Sequence, residues 1–115
     1  MTLTLWHNPR CSKSRQTLAL LEQHGITPEI RFYLEDAPGE AEIRDVLKKL
    51  RFDSARQLMR TGEADYKEQG LKGVTDDDAL IAAMARTPKL IERPLAIHGE
   101  RAALGRPPED VLVIL

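Results

Sequence analysis

The stretch Leu3-Thr4-Leu5-Trp6-His7-Asn8-Pro9-Arg10-Cys11-Ser12-Lys13 decides how this chain is read. Its apolar start has the character of a short strand, and Asn8-Pro9 turns the chain. Ser12 to His24 then carries an apolar side through Leu18, Leu21 and Ala19 or Leu20, which predicts a helix. Cys11, the single cysteine of 115 residues, falls where that helix begins. The first turn of a helix has unpaired N–H groups and the positive end of the macrodipole, and both favour a thiolate over a thiol. His7, Arg10, Lys13 and Arg15 add basic or titratable groups that push the same way, so the sequence predicts a reactive cysteine.

Gly25 suits the left-handed position that closes a helix, with Ile26 folding back on the last turn. After Thr27-Pro28, Glu29 to Tyr33 alternates and reads as a second strand parallel to the first, completing a βαβ unit. The middle is helical. Pro38-Gly39 opens a helix whose Ile43, Val46, Leu47 and Leu50 share one face. Short helices follow over Ser54 to Met59 and around Tyr66 to Gln69. Another is predicted from Thr75, acting as N-cap with Asp76, Asp77 and Asp78 in the first turn, through Leu80, Ile81 and Met84. The acidic triplet is explained by helix-end electrostatics without a metal. Beyond Arg93-Pro94, Leu95 to Ile97 reads as a strand, His98-Gly99-Glu100 as a turn and Ala102 to Leu104 as the returning arm. Glu109 to Leu115 is expected as a terminal helix with Val111, Leu112 and Leu115 on its apolar side.

Length and composition bound the function. One domain over residues 1–115 is expected, with one core. Aromatics make up only 4%, so the core must rest on aliphatic side chains. With 17 basic against 18 acidic residues the net charge is −1, which supplies no global field for nucleic acid or a membrane surface, and any anion site must be local. One cysteine forms no internal disulfide, and no set of Cys and His residues suggests structural zinc. The apolar start is too short for a signal peptide and no run approaches a membrane span, so a cytoplasmic, reduced setting is expected.

Four segments taken together carry a family likeness: His7-Asn8-Pro9-Arg10-Cys11-Ser12-Lys13-Ser14-Arg15, Leu58-Met59-Arg60, Ile91-Glu92-Arg93-Pro94 and Leu104-Gly105-Arg106-Pro107. In order and spacing they resemble the glutathione- and glutaredoxin-coupled arsenate reductase family, nearly end to end, and stand closer to its shorter paralogues. The resemblance implies an α/β thioredoxin-like fold: a mixed four-stranded sheet with a helical insertion between the second and third strands. It implies that Cys11 attacks arsenate while Arg60, Arg93 and Arg106 hold the oxyanion, and that His7 matches the family histidine before the cysteine. It also implies a cis-proline at Pro94, facing the cysteine. Two departures stand out: Ser12-Lys13 replaces a usual Gly-Thr, and Arg10 replaces a small residue.

These residue types suit that chemistry. A thiolate attacking an anionic oxyanion must overcome like-charge repulsion, and guanidinium groups stay charged while donating paired N–H bonds to oxyanion edges. His7 is expected in a support role, either favouring the thiolate as imidazolium or shaping the site. Ser14 holds the place of the resolving cysteine in a C-x-x-C protein. No internal disulfide can form there, so an external thiol must attack the Cys11 adduct. Glutathione as co-substrate and glutaredoxin as electron donor fit that need; no tightly bound cofactor, metal, nucleic acid or membrane partner is expected, and the protein is expected to be a monomer. A cysteine phosphatase would need C-x-x-x-x-x-R, but position 17 is Thr17. The alternatives left open are a thiol-based redox regulator of the same superfamily that binds RNA polymerase, and a paralogue acting on another substrate.

Overall fold

Leu3 and Leu5 alternate with Thr4 and Trp6 to make strand β1 (Leu3–Trp6), and both leucines are buried. In the computed structural model, which describes residues 2–115, β1 is central in a four-stranded sheet of order β2-β1-β3-β4. β2 (Glu29–Arg31) runs parallel to β1, as the βαβ reading requires, whereas β3 (Leu95–His98) is antiparallel to β1 and β4 (Arg101–Leu104) antiparallel to β3. Helix α1 (Ser12–Gln23) makes the parallel crossover. Gly25 closes it at φ +76°, with Gly25 N–H donating to Glu22 O and Ile26 N–H to Leu21 O at 3.0 Å, the paired bonds of a Schellman stop.

Leu3, Leu5, Leu21, Ala96, Val111 and Ile114 form one buried cluster, so α1 and the C-terminal segment cover the same face of the sheet. That last segment, Pro108–Ile114, is a 3₁₀ helix, and its buried residues are Pro108, Val111 and Ile114. Of the expected apolar side, Val111 is buried, while Leu112 is half-buried and Leu115 exposed, because three residues per turn stack Pro108, Val111 and Ile114. Arg101 donates to Val113 O and the His98 ring pairs with Ile114 O, both at 2.7 Å, which holds the segment to the β3–β4 hairpin. On the other side of the sheet Trp6 stacks with Tyr33 and lies under the Arg31 guanidinium.

Between β2 and β3 the chain is helical. By its internal packing it forms two compact units, one made of residues up to Asp36 with Arg93–Leu115, the other Ala37–Glu92. In the second, α2 (Glu40–Leu50) buries Ile43, Val46 and Leu47 and packs on α4 (Asp77–Arg86), which buries Leu80, Ile81 and Met84. Ala55–Leu58 and α3 (Ala64–Glu68) are the two shorter helices expected there. Arg56 ties them by donating to the Tyr66 hydroxyl and to the carbonyls of Leu71 and Val74. The N-cap of α4 is Asp76 and not Thr75: its carboxylate accepts from Asp78 N at 3.0 Å. Asp77 accepts from Ala55 N and Asp78 pairs with Arg44 at 2.7 Å, so each member of the triplet has its own polar partner. No helix among the described residues is long and apolar enough to cross a membrane.

Candidate active site

Asn8, Pro9, Arg10 and Cys11 form a turn closed by Cys11 N–H donating to Asn8 O at 3.0 Å, while the Asn8 side chain accepts from Arg10 N at 3.0 Å. Asparagine first and proline second is the pairing such a turn favours. The turn delivers Cys11 as the N-cap of α1, in extended conformation, with Arg15 N–H donating to its carbonyl. The residue is partly exposed. Burial is the largest single influence on the thiol and pushes it up. Four opposing influences together outweigh it: the Ser14 N–H, the Arg93 charge, the Lys13 N–H and the Arg106 charge, which leave the thiol below its ordinary value.

The source of positive charge therefore differs from the sequence expectation. Arg15 is engaged in donating to Pro9 O at 2.9 Å, and the guanidinium groups that act on the sulfur come from the far end of the chain. They arrive through the hairpin. Leu95 pairs with Leu104, and Gly105 N–H donates to Pro94 O at 2.9 Å, so the ladder continues one pair further and sets Arg93 opposite Arg106. Arg106 closes the arrangement by donating to Arg93 O at 3.2 Å. Pro94 is buried, and the Arg93–Pro94 and Arg106–Pro107 peptide bonds are both cis.

Gly105, part of the motif Leu104-Gly105-Arg106-Pro107, is also a structural requirement. A Cβ there would lie 2.5 Å from Thr17 Oγ1 and 2.8 Å from Pro94 Cγ. Thr17 is fully buried and donates to Lys13 O at 2.8 Å, so α1 presents hydroxyls as well as leucine to the interior. Leu18, expected inside, is only half-buried, and Ala19 is exposed.

Ser14, one turn into α1, is the other buried hydroxyl. It accepts from Asn8 N at 3.0 Å and meets His7 Nδ1 at 2.7 Å. We assign the hydroxyl proton to that second bond, which leaves the ring proton on Nε2. Burial, followed by the Arg15 charge, holds His7 below its ordinary value, so the ring is neutral at neutral pH. Of the two roles expected for His7, the hydrogen bonds fit the structural one: His7 and Ser14 tie the end of β1 to the first turn of α1. Arg60 lies in the other unit. Its guanidinium pairs with Glu63 at 3.2 Å and donates to Lys89 O at 3.4 Å, beside the Met59–Ile91 bridge.

A cysteine that caps a helix, its thiol lowered by two amides and two guanidinium charges, on a thioredoxin-like sheet defines a thioredoxin-fold protein with a candidate reactive thiol. Comparison with known proteins gives the family. The ArsC family model matches residues 6–114. A solved structure, an arsenate reductase from Vibrio cholerae, superposes with a TM-score of 0.97 at 49% identity, covering 100% of this chain and 98% of that one. The YfgD protein of Escherichia coli K12 is 50% identical over 96% of this chain and 94% of its own length. An arsenate reductase of Haemophilus influenzae is 47% identical over the full length of both. This chain belongs to the ArsC family.

Proposed function

We propose that this protein reduces arsenate to arsenite through a Cys11 thiolate, with glutathione and glutaredoxin supplying the electrons. The observation that carries the reading is the position of Cys11 at the N-cap of α1 under the combined pull of the Lys13 and Ser14 amides and the Arg93 and Arg106 charges. A lowered thiol holds more of the nucleophilic thiolate at any given pH, and the same two guanidinium groups would neutralise the incoming oxyanion. The family resemblance assigns Arg60 as a further oxyanion ligand. Full-length relatives that carry the name arsenate reductase support the choice of substrate.

The chemistry needs two steps and an outside thiol. Cys11 Sγ forms a bond to As(V) as one arsenic–oxygen bond breaks, the oxygen leaving as water once protonated. A glutathione thiolate then attacks Sγ: a sulfur–sulfur bond forms, the sulfur–arsenic bond breaks, and its electron pair stays on arsenic as As(III). Glutaredoxin clears the mixed disulfide by thiol exchange. A regulator working through a C-x-x-C switch is disfavoured because Ser14, fixed to His7, occupies the second thiol's place. Arsenate-dependent NADPH oxidation with glutathione, glutaredoxin and glutathione reductase tests the proposal. Activity in the native protein and none in Cys11→Ser is expected; arsenate-dependent turnover that survives in Cys11→Ser would refute the nucleophile, and no turnover at all would refute the enzyme.

A further inference from the structure

The turn before Cys11 walls a cleft of about 290 Å³ on the sheet-bearing unit, lined by Asn8, Pro9, Arg10, Phe32, Leu34 and Glu35. Three features set it apart. Phe32 and Leu34 are 46% and 42% exposed, two of the few large apolar side chains left in water. The turn that follows β2 is firmly made, with Glu35 N–H and Asp36 N–H both donating to Phe32 O, so this exposure belongs to ordered backbone. Among the described residues neither the Arg10 guanidinium nor the Glu35 carboxylate has an ion-pair or hydrogen-bond partner, and Arg10 is not among the charges that act on Cys11.

From this cleft we infer a binding site for the reducing thiol itself, a small peptide thiol of the glutathione type; the inference rests on the function proposed above. Such a ligand carries carboxylates, one ammonium group and a thiol on a short flexible frame. Arg10 takes a carboxylate by paired N–H donation, Glu35 takes the ammonium, and Phe32 with Leu34 cover the methylenes between them. Because Arg10 immediately precedes Cys11, a thiol held there is delivered to Sγ without competing with the oxyanion for Arg93 and Arg106. Arg10, which departs from the small residue expected at this place, thereby acquires a task distinct from raising the thiolate.

Two measurements test this. Titrating the native protein with S-methylglutathione, which binds but cannot react, should shift the amide resonances of Arg10, Phe32, Leu34 and Glu35 in nitrogen–proton correlation spectra. In turnover, Arg10→Glu should lower the ratio of kcat/KM for glutathione to that for 2-mercaptoethanol about tenfold, since a neutral small thiol has nothing for Arg10 to hold. Resonance shifts confined elsewhere, or none, overturn the site, as does an unchanged ratio. If the native protein reduces no arsenate but S-methylglutathione moves these four amides, the enzymatic reading fails and the thiol site stands. If arsenate is reduced and these amides stay still, the reverse holds.

Discussion

Two helix N-termini in this chain are finished in opposite ways. At α4 the orphan amides meet the helix's own side chains: Asp76 caps it, and Asp77 and Asp78 add negative charge to the first turn. At α1 the cap is Cys11, with no side-chain cap bond and no acidic residue in the first turn. A carboxylate cap contributes about 1 kcal/mol, and α1 forgoes it. The amides that α4 spends on stability are, at α1, turned on a sulfur. A helix end thus serves either the fold or the chemistry, and the residue at one position selects between them.

The strongest test converts one end into the other. Cys11→Asp should abolish turnover entirely while raising unfolding free energy by about 0.5–1 kcal/mol, read by urea denaturation. A variant that lost stability would mean that α1 is not an open cap. Next in size, Arg93→Lys, Arg106→Lys and Arg60→Lys should each raise KM for arsenate by about tenfold or more with the fold retained, because charge survives but paired donation does not. Native kinetics in all three would remove the oxyanion site; a null result for Arg60 alone would confine it to the hairpin. Gly105→Ala should cost about 1–3 kcal/mol by forcing Thr17 and Pro94 apart, and Gly105→Ala with Thr17→Ser should recover part of it if the threonine methyl at 3.2 Å is a share of the clash. At α4, Asp76→Ala should cost about 1 kcal/mol in thermal or chemical unfolding and leave arsenate kinetics alone.

The smallest effect is on pH dependence. The folded Cys11 thiol lies below its ordinary value, so its contribution is present above the unfolded pKa and is lost as pH falls through the folded one. His7 is also depressed: its contribution is present above the ordinary imidazole value of about 6.5 and is lost as pH falls through the lower folded value. The stability profile of Cys11→Ser should therefore diverge from native on the alkaline side, and that of His7→Gln on the acid side. Iodoacetamide alkylation should give an inflection below that of free cysteine.

Local chemistry explains what could be read from sequence. Gly25 and Ile26 stop α1 through bonds that a left-handed glycine alone predicts, and the spacing of Ile43, Val46 and Leu47 is the α2 interior. Reading failed where polar groups go inside. Ser14 and Thr17 are buried because each hydroxyl finds a partner, and no hydropathy pattern reports a partner. The C-terminal segment departs from its α-helical expectation because α and 3₁₀ periods diverge within seven residues. The basic neighbours of Cys11 in sequence suggest the charge that acts on it, yet Arg93 and Arg106 supply it. A signal for that pairing existed: the two stand symmetrically about Gly99-Glu100. The hairpin turn is those two residues, with His98 still in β3 opposite Arg101, and the three-residue turn expected from the pattern hid the symmetry.

That symmetry makes the tip of the hairpin a gauge for a site at its other end. Gly99 and Glu100 lie between the two strands, and every rung from His98–Arg101 to Leu95–Leu104 and on through Pro94–Gly105 is counted from them. Loop tips ordinarily accept added residues. Here an inserted residue is harmless only if it bulges outward and leaves the count intact. One absorbed into the ladder would set Arg93 against a different partner and turn alternate side chains to the opposite face. The placement of Arg93 against Arg106 is in this sense a length of chain, measured out from the end farthest from them.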